Sequence, residues 1–521
     1  MIPNPKVDDP TFFIGGGTFS VTLANTGDGQ ENPRPPPTIH TCETEIELPI
    51  TIKIVLLFRK ISLASSEGAI TLFINGVLSA IPSVESLRER ERERGREMRE
   101  SKGRAVVVGG SIAGVCSAHA LLSAGWEVVV LEKTTAPPTG SPTGAGLGLD
   151  PLARGIIKSW LPQQQSDNLL NNHTLPLTID QNQATDSEKK ISRILTSDEN
   201  FNFRAAYWSD LHGLLYKALP PNIFLWGHLF LSFNLSDDKK SVKVQSKELQ
   251  TGKVIEIVGN LLVAADGCLS SIRQTFLPDL KLRYSGYCAW RGVLDLSHDE
   301  KSKILVDLQK VYPDLGKCLY FDLGSGTHSV FYELLNKRIN WIWYVNQPEP
   351  QLKGKSVTIK VSNNMINKMQ NEAEKVWVPE LATIIKETKQ PFLNVIYDCN
   401  PLKKIVWDRV VLIGDAAHPT TPHGLRSTNM SILDAAVLGQ CLMKYGVENL
   451  AEGLEEYQSI RVPVTSKQVL HSRRLGRIKQ GLILYDGKVF DPKKASLEEC
   501  GDLQQKNMPG FGDASLILSK Y

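Results

Sequence analysis

Arg104-Ala105-Val106-Val107-Val108-Gly109-Gly110-Ser111-Ile112-Ala113-Gly114 is the stretch that decides the fold. Arg104 to Val108 reads as a buried strand, and a glycine-rich turn follows. A helix over about Ile112 to Ser123 and a second strand over Glu127 to Leu131 then complete one βαβ opening. Gly109 allows the tight turn. The amides that open the helix point at a pyrophosphate, and the helix dipole favours that charge. Gly114 lets the helix lie close to the strand. Glu132 stands 23 residues after Gly109, where a carboxylate accepts hydrogen bonds from both hydroxyls of a ribose. An acid there disfavours a 2′-phosphate and points to FAD or NAD. The middle fingerprint glycine is replaced by Ser111, which adds a small side chain and a hydroxyl that can donate to phosphate.

The rest of the composition agrees with a large globular protein. The 521 residues are 41% hydrophobic and 22% charged, with 40 Gly and 29 Pro, which excludes a disordered, collagenous or fibrous chain. At roughly 150 residues per domain the length predicts about two to four domains. The 59 basic and 56 acidic residues give a net charge of +3, so nothing calls for nucleic acid or an acidic membrane as partner. Eight cysteines lie far apart with no C-x-x-C. That fits neither a zinc ribbon nor a disulfide framework, and suits a reducing compartment; a cytoplasmic location is expected and no metal. The stretch Leu48 to Phe58 holds Lys53 and precedes Arg59 and Lys60. It is too short and charged for a bilayer span, which needs about 20 apolar residues.

Residues 1–100 read as a low-complexity extension outside the fold. They hold Gly15 to Gly17, Pro35 to Pro37 and an Arg/Glu alternation from Arg88 to Arg94. A GAGA nucleotide repeat translates as that alternation, so residues 1–97 are expected to be an upstream extension of the gene, with Met98 directly after it. A transit peptide is the rival reading, disfavoured by Glu43, Glu45, Glu47 and the Glu-rich run. Beyond the βαβ opening, Ile223–Phe233, Ser241–Ser246 and Val254–Val258 read as strands. Residues 284–346 are rich in β-formers and aromatics and predict a separate antiparallel sheet. Arg409 to Ile413 is another buried strand, leading to a helix around Met430 to Tyr445. A helical tail runs from Leu450 to about Leu484.

Two more motifs follow buried strands: Ala265-Asp266-Gly267-Cys268-Leu269-Ser270-Ser271-Ile272-Arg273, and Gly414-Asp415-Ala416-Ala417-His418-Pro419-Thr420-Thr421-Pro422-His423-Gly424. A carboxylate at a strand's carboxyl end beside small residues can approach a ribityl chain. The plainer reading of each Asp is a cap on the next helix.

With the fingerprint, these motifs and Tyr284-Ser285-Gly286-Tyr287-Cys288-Ala289-Trp290-Arg291-Gly292, the chain over about 103–510 resembles the single-component FAD-dependent aromatic hydroxylases. Para-hydroxybenzoate hydroxylase is the type enzyme, and the nearest branch is that of 2,6-dihydroxypyridine 3-monooxygenase and its plant relatives. The resemblance implies an α/β fold. A Rossmann-like FAD-binding domain (101–283 and 395–450) would carry an antiparallel-sheet substrate domain (284–394) and a C-terminal helical segment (451–521). It implies that Gly109, Gly110, Ser111, Ala113, Gly114, Glu132 and Lys133 serve the ADP half of FAD. Asp266 and Gly267 would serve FAD and a passing NADPH or NADH. Asp415 would bind the ribityl hydroxyls and Pro422, His423 and Gly424 the isoalloxazine, with Gly146 and Asn429 also at the cofactor. The implied activity is insertion of one oxygen atom from O2 into an aromatic or apolar small molecule through a C4a-hydroperoxide of the flavin. His423 and Arg291 are the catalytic candidates, Arg291 for orienting an anionic or phenolic group.

The chain departs from the family after Gly424. A small residue, a polar residue and Gly usually precede the Asn, whereas Leu425-Arg426-Ser427-Thr428-Asn429 stands here. Trp208 also replaces a family Arg, with Arg204 four residues earlier. Two other readings stay open: a flavin oxidoreductase or epoxidase on a terpenoid, and an FAD-binding scaffold or redox sensor that hydroxylates nothing. Asn340-Trp341-Ile342-Trp343-Tyr344-Val345 is similar to the W-x-W of flavin-dependent halogenases. The flanking Gly and Pro are missing, and alternating Trp is what a half-buried strand gives.

Overall fold

The computed structural model describes residues 103–138, 144–186, 188, 190–298, 302–352 and 356–510, and the backbone of four strands before them. The chain divides into two units, Met1–Arg88 and Glu89–Tyr521. In the first, Thr11–Ile14 pairs with Gly17–Ser20 and His40–Glu45 with Val55–Lys60, both antiparallel. The Arg/Glu run lies outside the described residues.

In the second unit the βαβ opening forms as its apolar pattern dictates: strand Arg104–Val108, helix Ile112–Ser123, strand Glu127–Glu132. Val106 and Val107 are fully buried, as a strand covered on both faces requires. The six-stranded sheet runs in the order Phe224–Trp226, Glu127–Glu132, Arg104–Val108, Leu261–Ala264, Val410–Leu412, Val406–Trp407. Its neighbours are parallel except the last pair. The helix Arg426–Tyr445 packs on Ile112–Ser123, and Gly439 permits the close approach: a Cβ there would lie 2.8 Å from the Ala120 carbonyl oxygen.

The run expected as one strand over Ile223–Phe233 divides at Gly227, whose φ is 70°. Phe224–Trp226 joins the parallel sheet, while His228–Leu235 starts an antiparallel meander with Val242–Glu248 and Val254–Gly259. The aromatic-rich stretch forms Arg283–Asp295, Cys318–Gly324, Thr327–Leu334 and Arg338–Asn346 of an eight-stranded sheet. Two strands that the sequence did not reveal, Ile179–Thr185 and Ile191–Asp198, extend that sheet at one edge.

Period-2 alternation divides this sheet into two faces. Tyr287, Phe321, Tyr332 and Tyr344 join one core cluster. Trp290, Phe331, Trp341 and Trp343 join another, beneath Trp377 and Leu381. The paired tryptophans therefore pack on the face away from the tyrosines. The tail helix runs Leu450–Lys479, straight through Pro463, and stops before Gly481 (φ 57°).

Candidate active site

The carboxyl ends of the parallel strands open on a cavity of about 290 Å³ lined by Gly109, Ser111, Glu132, Lys133, Asp266 and Gly267, among others. Glycine is obligatory in its turn. Gly109 has φ 104°, and a Cβ there would sit 2.3 Å from the Ala265 carbonyl oxygen. A Cβ on Gly114 would lie 1.8 Å from the Gly109 oxygen. Glu132 accepts from the Gly110 amide (2.8 Å) and the Thr134 amide (2.9 Å), which fixes its carboxylate at the strand's end. Ser111 starts the helix without bonding its own amides, so its hydroxyl is free toward the cavity. Asp266 uses Oδ2 on the amides of Ser271 (2.9 Å) and Ile272 (3.3 Å). Its Oδ1 is buried without a partner. The capping and ligand readings of that residue are thus divided between its two oxygens.

A second cavity of about 280 Å³ lies between the loop after Val410–Leu412 and the tyrosine-bearing face of the large sheet. Gly146, Asp415, Pro422, His423 and Gly424 line one side, with Phe321, Tyr332, Tyr344 and Arg291 among the residues opposite. Asp415 is half-buried, and the desolvation of its carboxylate raises its pKa; the Ser427 hydroxyl, donating to Oδ1 at 2.7 Å, opposes that rise. Ser427, where the family has Gly, therefore orients this carboxylate. The positive backbone angles fall at Gly424 (φ 81°) and Leu425 (φ 57°). Arg426 reaches Asp150 at 2.8 Å, and both are buried.

Asn429 is fully buried and committed to backbone: it donates to Gly148 (2.8 Å) and Leu425 (2.6 Å) and accepts from Asp150 (3.1 Å). Its side chain ties the turn to the Gly146–Leu149 strand. Ala113 lines neither cavity; it packs beneath Gly414, where an added Cβ would lie 3.1 Å from the Ala113 Cβ. Arg204 is bound to Thr174, with Nε on the hydroxyl at 2.6 Å, and lines neither cavity. His418 bonds Asp434 at 2.5 Å, and Asp434 also holds Arg461 (2.7 Å) and the Gly414 amide (2.8 Å). Burial alone would raise Asp434, but His418 and Arg461 hold it down at about 2.

Sequence gave no sign of the chain behind His423. The Asn346 amide group donates to the Gly326 and Gln480 carbonyls (2.9 and 3.0 Å), and its oxygen accepts from Gln480 Nε2 at 3.0 Å. Gln480 Oε1 must then accept from His328 Nδ1 (2.9 Å), leaving His328 Nε2 to accept from His423 Nε2 at 3.2 Å. His423 Nδ1 is the unprotonated nitrogen, 3.4 Å from the Tyr287 hydroxyl. Burial pushes both imidazoles down, His328 to about 3 with the Lys479 charge adding to it.

The order of parallel strands, the glycine turn and the two cavities define a dinucleotide-dependent α/β enzyme. Residues 399–472 match the family described as FAD binding domain. The chain is 25% identical over 366 residues to 2,6-dihydroxypyridine 3-monooxygenase of Paenarthrobacter nicotinovorans, covering 67% of this chain and 84% of that protein. It is 26% identical over 381 residues to 3-hydroxybenzoate 6-hydroxylase of Polaromonas naphthalenivorans, covering 72% and 87%. The structure of Klebsiella pneumoniae HpxO complexed with FAD and uric acid aligns with TM-score 0.60 at 20% identity, covering 78% of this chain and 94% of that one. The chain resembles the FAD-dependent aromatic hydroxylases in sequence and fold. It is an FAD-dependent monooxygenase, with the α/β fold of that family. The unpartnered Asp266 oxygen, the free Ser111 hydroxyl and the glycine turn that no Cβ could enter fit such a cofactor. Among the described residues no helix is long and apolar enough to cross a membrane, and no cluster of ligands could hold a metal ion.

Proposed function

We propose that one FAD spans the two cavities and that the protein hydroxylates a small aromatic molecule with O2, taking electrons from NADPH or NADH. The ADP end would lie on Gly109, Gly110 and Ser111, with Glu132 on the ribose and Lys133 and Asp266 beside it. Asp415 would take the ribityl hydroxyls, and the Pro422–Gly424 turn would border the isoalloxazine. The single observation that carries this reading is the second cavity. It has a cofactor-type carboxylate on one wall and an aromatic wall opposite. Relatives named for 2,6-dihydroxypyridine and 3-hydroxybenzoate, and a related structure holding uric acid, support an aromatic substrate.

Bound flavin supplies the redox chemistry and oxygen activation. The chain's own residues bind, orient and exclude water. Phe321, Val330 and Ile342, all buried, present an apolar surface that keeps water from the reacting groups. His423 has both ring nitrogens engaged, so its task is to hold the turn at Gly424. Residues 284–394 supply the substrate wall, and residues 1–97 take no part. A chain that begins at Met98 is expected to bind FAD with an unchanged melting temperature; loss of flavin would refute this.

Turnover with 18O2, either nicotinamide nucleotide and a panel of phenols and N-heterocycles tests the reaction. The expected product carries one 18O atom. Nucleotide oxidation that yields only peroxide across the panel would overturn the proposal.

A further inference from the structure

We infer that the substrate carries a hydrocarbon tail, which leaves the second cavity beside Tyr397 and lies in a third, open cavity. This rests on the reading of the second cavity as the substrate site. The third cavity is the larger, about 670 Å³ against about 280 Å³. The helix Ser271–Phe276, the stretch Leu280 to Leu282, Leu352 and Tyr397 form its walls. It meets the second cavity at two points. Among the described residues Tyr397 alone lines both, and Cys268 lines the second where the next residue, Leu269, lines the third. The Tyr397 hydroxyl donates to Glu349 at 2.7 Å, which holds the ring where the two spaces adjoin.

The decisive feature is how the polar side chains of the third cavity are spent. Ser270 Oγ accepts from the Arg273 amide (2.9 Å), and the Ser271 hydroxyl donates to Asp266 (3.5 Å). Thr275 donates to the Ser271 carbonyl (3.2 Å), and the Gln274 side chain donates to the Pro278 carbonyl. Arg273 is buried, with its terminal nitrogens on the carbonyls of Cys268, Asp415 and Ala416 and only Nε, also buried, left over. Lys281 is thus the one exposed cation of this cavity, a poor match for the diphosphate of a nicotinamide nucleotide. What faces a ligand is hydrocarbon: Leu269, which is 36% exposed, Leu280, Leu282, Leu352 and the Tyr397 ring. Covering such surface with an apolar chain gains roughly fourfold in affinity for each methylene fully buried. The second cavity would then select the ring and the third the tail. The tail's exit beside Tyr397 would fix which ring edge faces the Pro422–Gly424 turn.

The test uses the FAD-loaded protein and follows the visible flavin spectrum during titration with 4-methylphenol, 4-butylphenol and 4-hexylphenol. Affinity should rise along the series, with 4-hexylphenol at least tenfold tighter than 4-methylphenol. The double variant Leu280→Gln/Leu352→Gln should cut that preference at least threefold and leave 4-methylphenol binding unchanged. If the double variant loses its flavin, a crystal structure of the wild-type protein with 4-hexylphenol decides, and its chain should lie against Leu280 and Leu352. A hexyl chain that gains nothing, or one that lies elsewhere in the crystal, would overturn the tail site while the aromatic site stands. A double variant that keeps the preference but raises KM for NADPH or NADH would also overturn it, and give the third cavity to the nucleotide. A wild-type spectrum that no phenol moves would instead sink the substrate-site reading, and this inference with it.

Discussion

The two cavities are nearly equal in volume, about 290 and 280 Å³, yet they are built by opposite means. The first is largely backbone: the Gly109 turn, the amides that begin a helix, and the Asp266-Gly267 bend with Gly267 at φ 83°. The second is largely side chains brought from distant segments, from Gly146 through Arg291 and Tyr344 to Ser427. A backbone cavity holds a constant ligand and fails abruptly, because a single Cβ cannot be accommodated. A side-chain cavity can change residue by residue, and so it is where substrate choice resides.

The largest effect expected from this contrast is at Gly114. Gly114→Ala places a Cβ 1.8 Å from the Gly109 oxygen, and overpacking of that kind costs roughly 1–3 kcal/mol or more. Loss of bound flavin together with a lowered melting temperature is expected. A yellow protein of unchanged melting temperature would break the claim that the first cavity is sterically fixed.

Glu132→Ala and Asp415→Ala compare one anchor from each cavity. Charged hydrogen bonds are worth about 1.5–3 kcal/mol, so the FAD dissociation constant should rise at least about tenfold in either variant. If only Glu132→Ala weakens binding, the second cavity does not hold the flavin end.

The third expectation concerns pH. His328, normally near 6.5, is depressed to about 3 in the fold, so the unfolded chain binds more protons between those values. Its contribution to stability is complete above pH 6.5 and is lost as pH falls toward 3. The slope is at most about 1.4 kcal/mol per pH unit for one such group. Melting temperatures measured from pH 7 to 4 should fall less steeply in His328→Gln than in the parent. Parallel curves would contradict the buried, neutral histidine pair.

The smallest effect separates the two faces of the large sheet. Trp341→Phe loses the bond from Nε1 to the Thr388 hydroxyl, 2.8 Å, and should cost about 1 kcal/mol of stability. FAD affinity should not change, since Trp341 faces away from the cavity. A weakened FAD complex in calorimetric titration would show that the faces are coupled.

The first cavity was legible in the sequence because glycine sterics, helix termini and a carboxylate at fixed spacing act over a few dozen residues. The second was legible only in its motifs. Asp415 and the Pro422–Gly424 turn could be named, but not the Ser427 hydroxyl on Asp415 or the histidine pair behind His423. The histidine pair joins positions 95 residues apart, and the Ser427 contact depends on the path of the turn between it and Asp415, which no local pattern encodes. The strand Ile179–Thr185 escaped for a related reason. Its Asp180, Asn182 and Gln183 look like loop residues, yet all three are buried. Lys479 donates to Asn182 (2.7 Å), Gln183 donates to Asp322 (2.7 Å), and the Gln505 amide donates to one oxygen of Asp180 (3.0 Å). Trp341 and Trp343, by contrast, sit where simple alternation puts them.

The central claim is that the two cavities are the two ends of one cofactor site. A crystal structure of the FAD-loaded protein tests it most directly. The account predicts the adenosine ribose hydroxyls within hydrogen-bonding distance of Glu132 and the ribityl hydroxyls at Asp415. The isoalloxazine should lie beside Pro422–Gly424, facing Tyr344 and Arg291. Density for FAD that leaves either Glu132 or Asp415 without a contact to it would contradict the account.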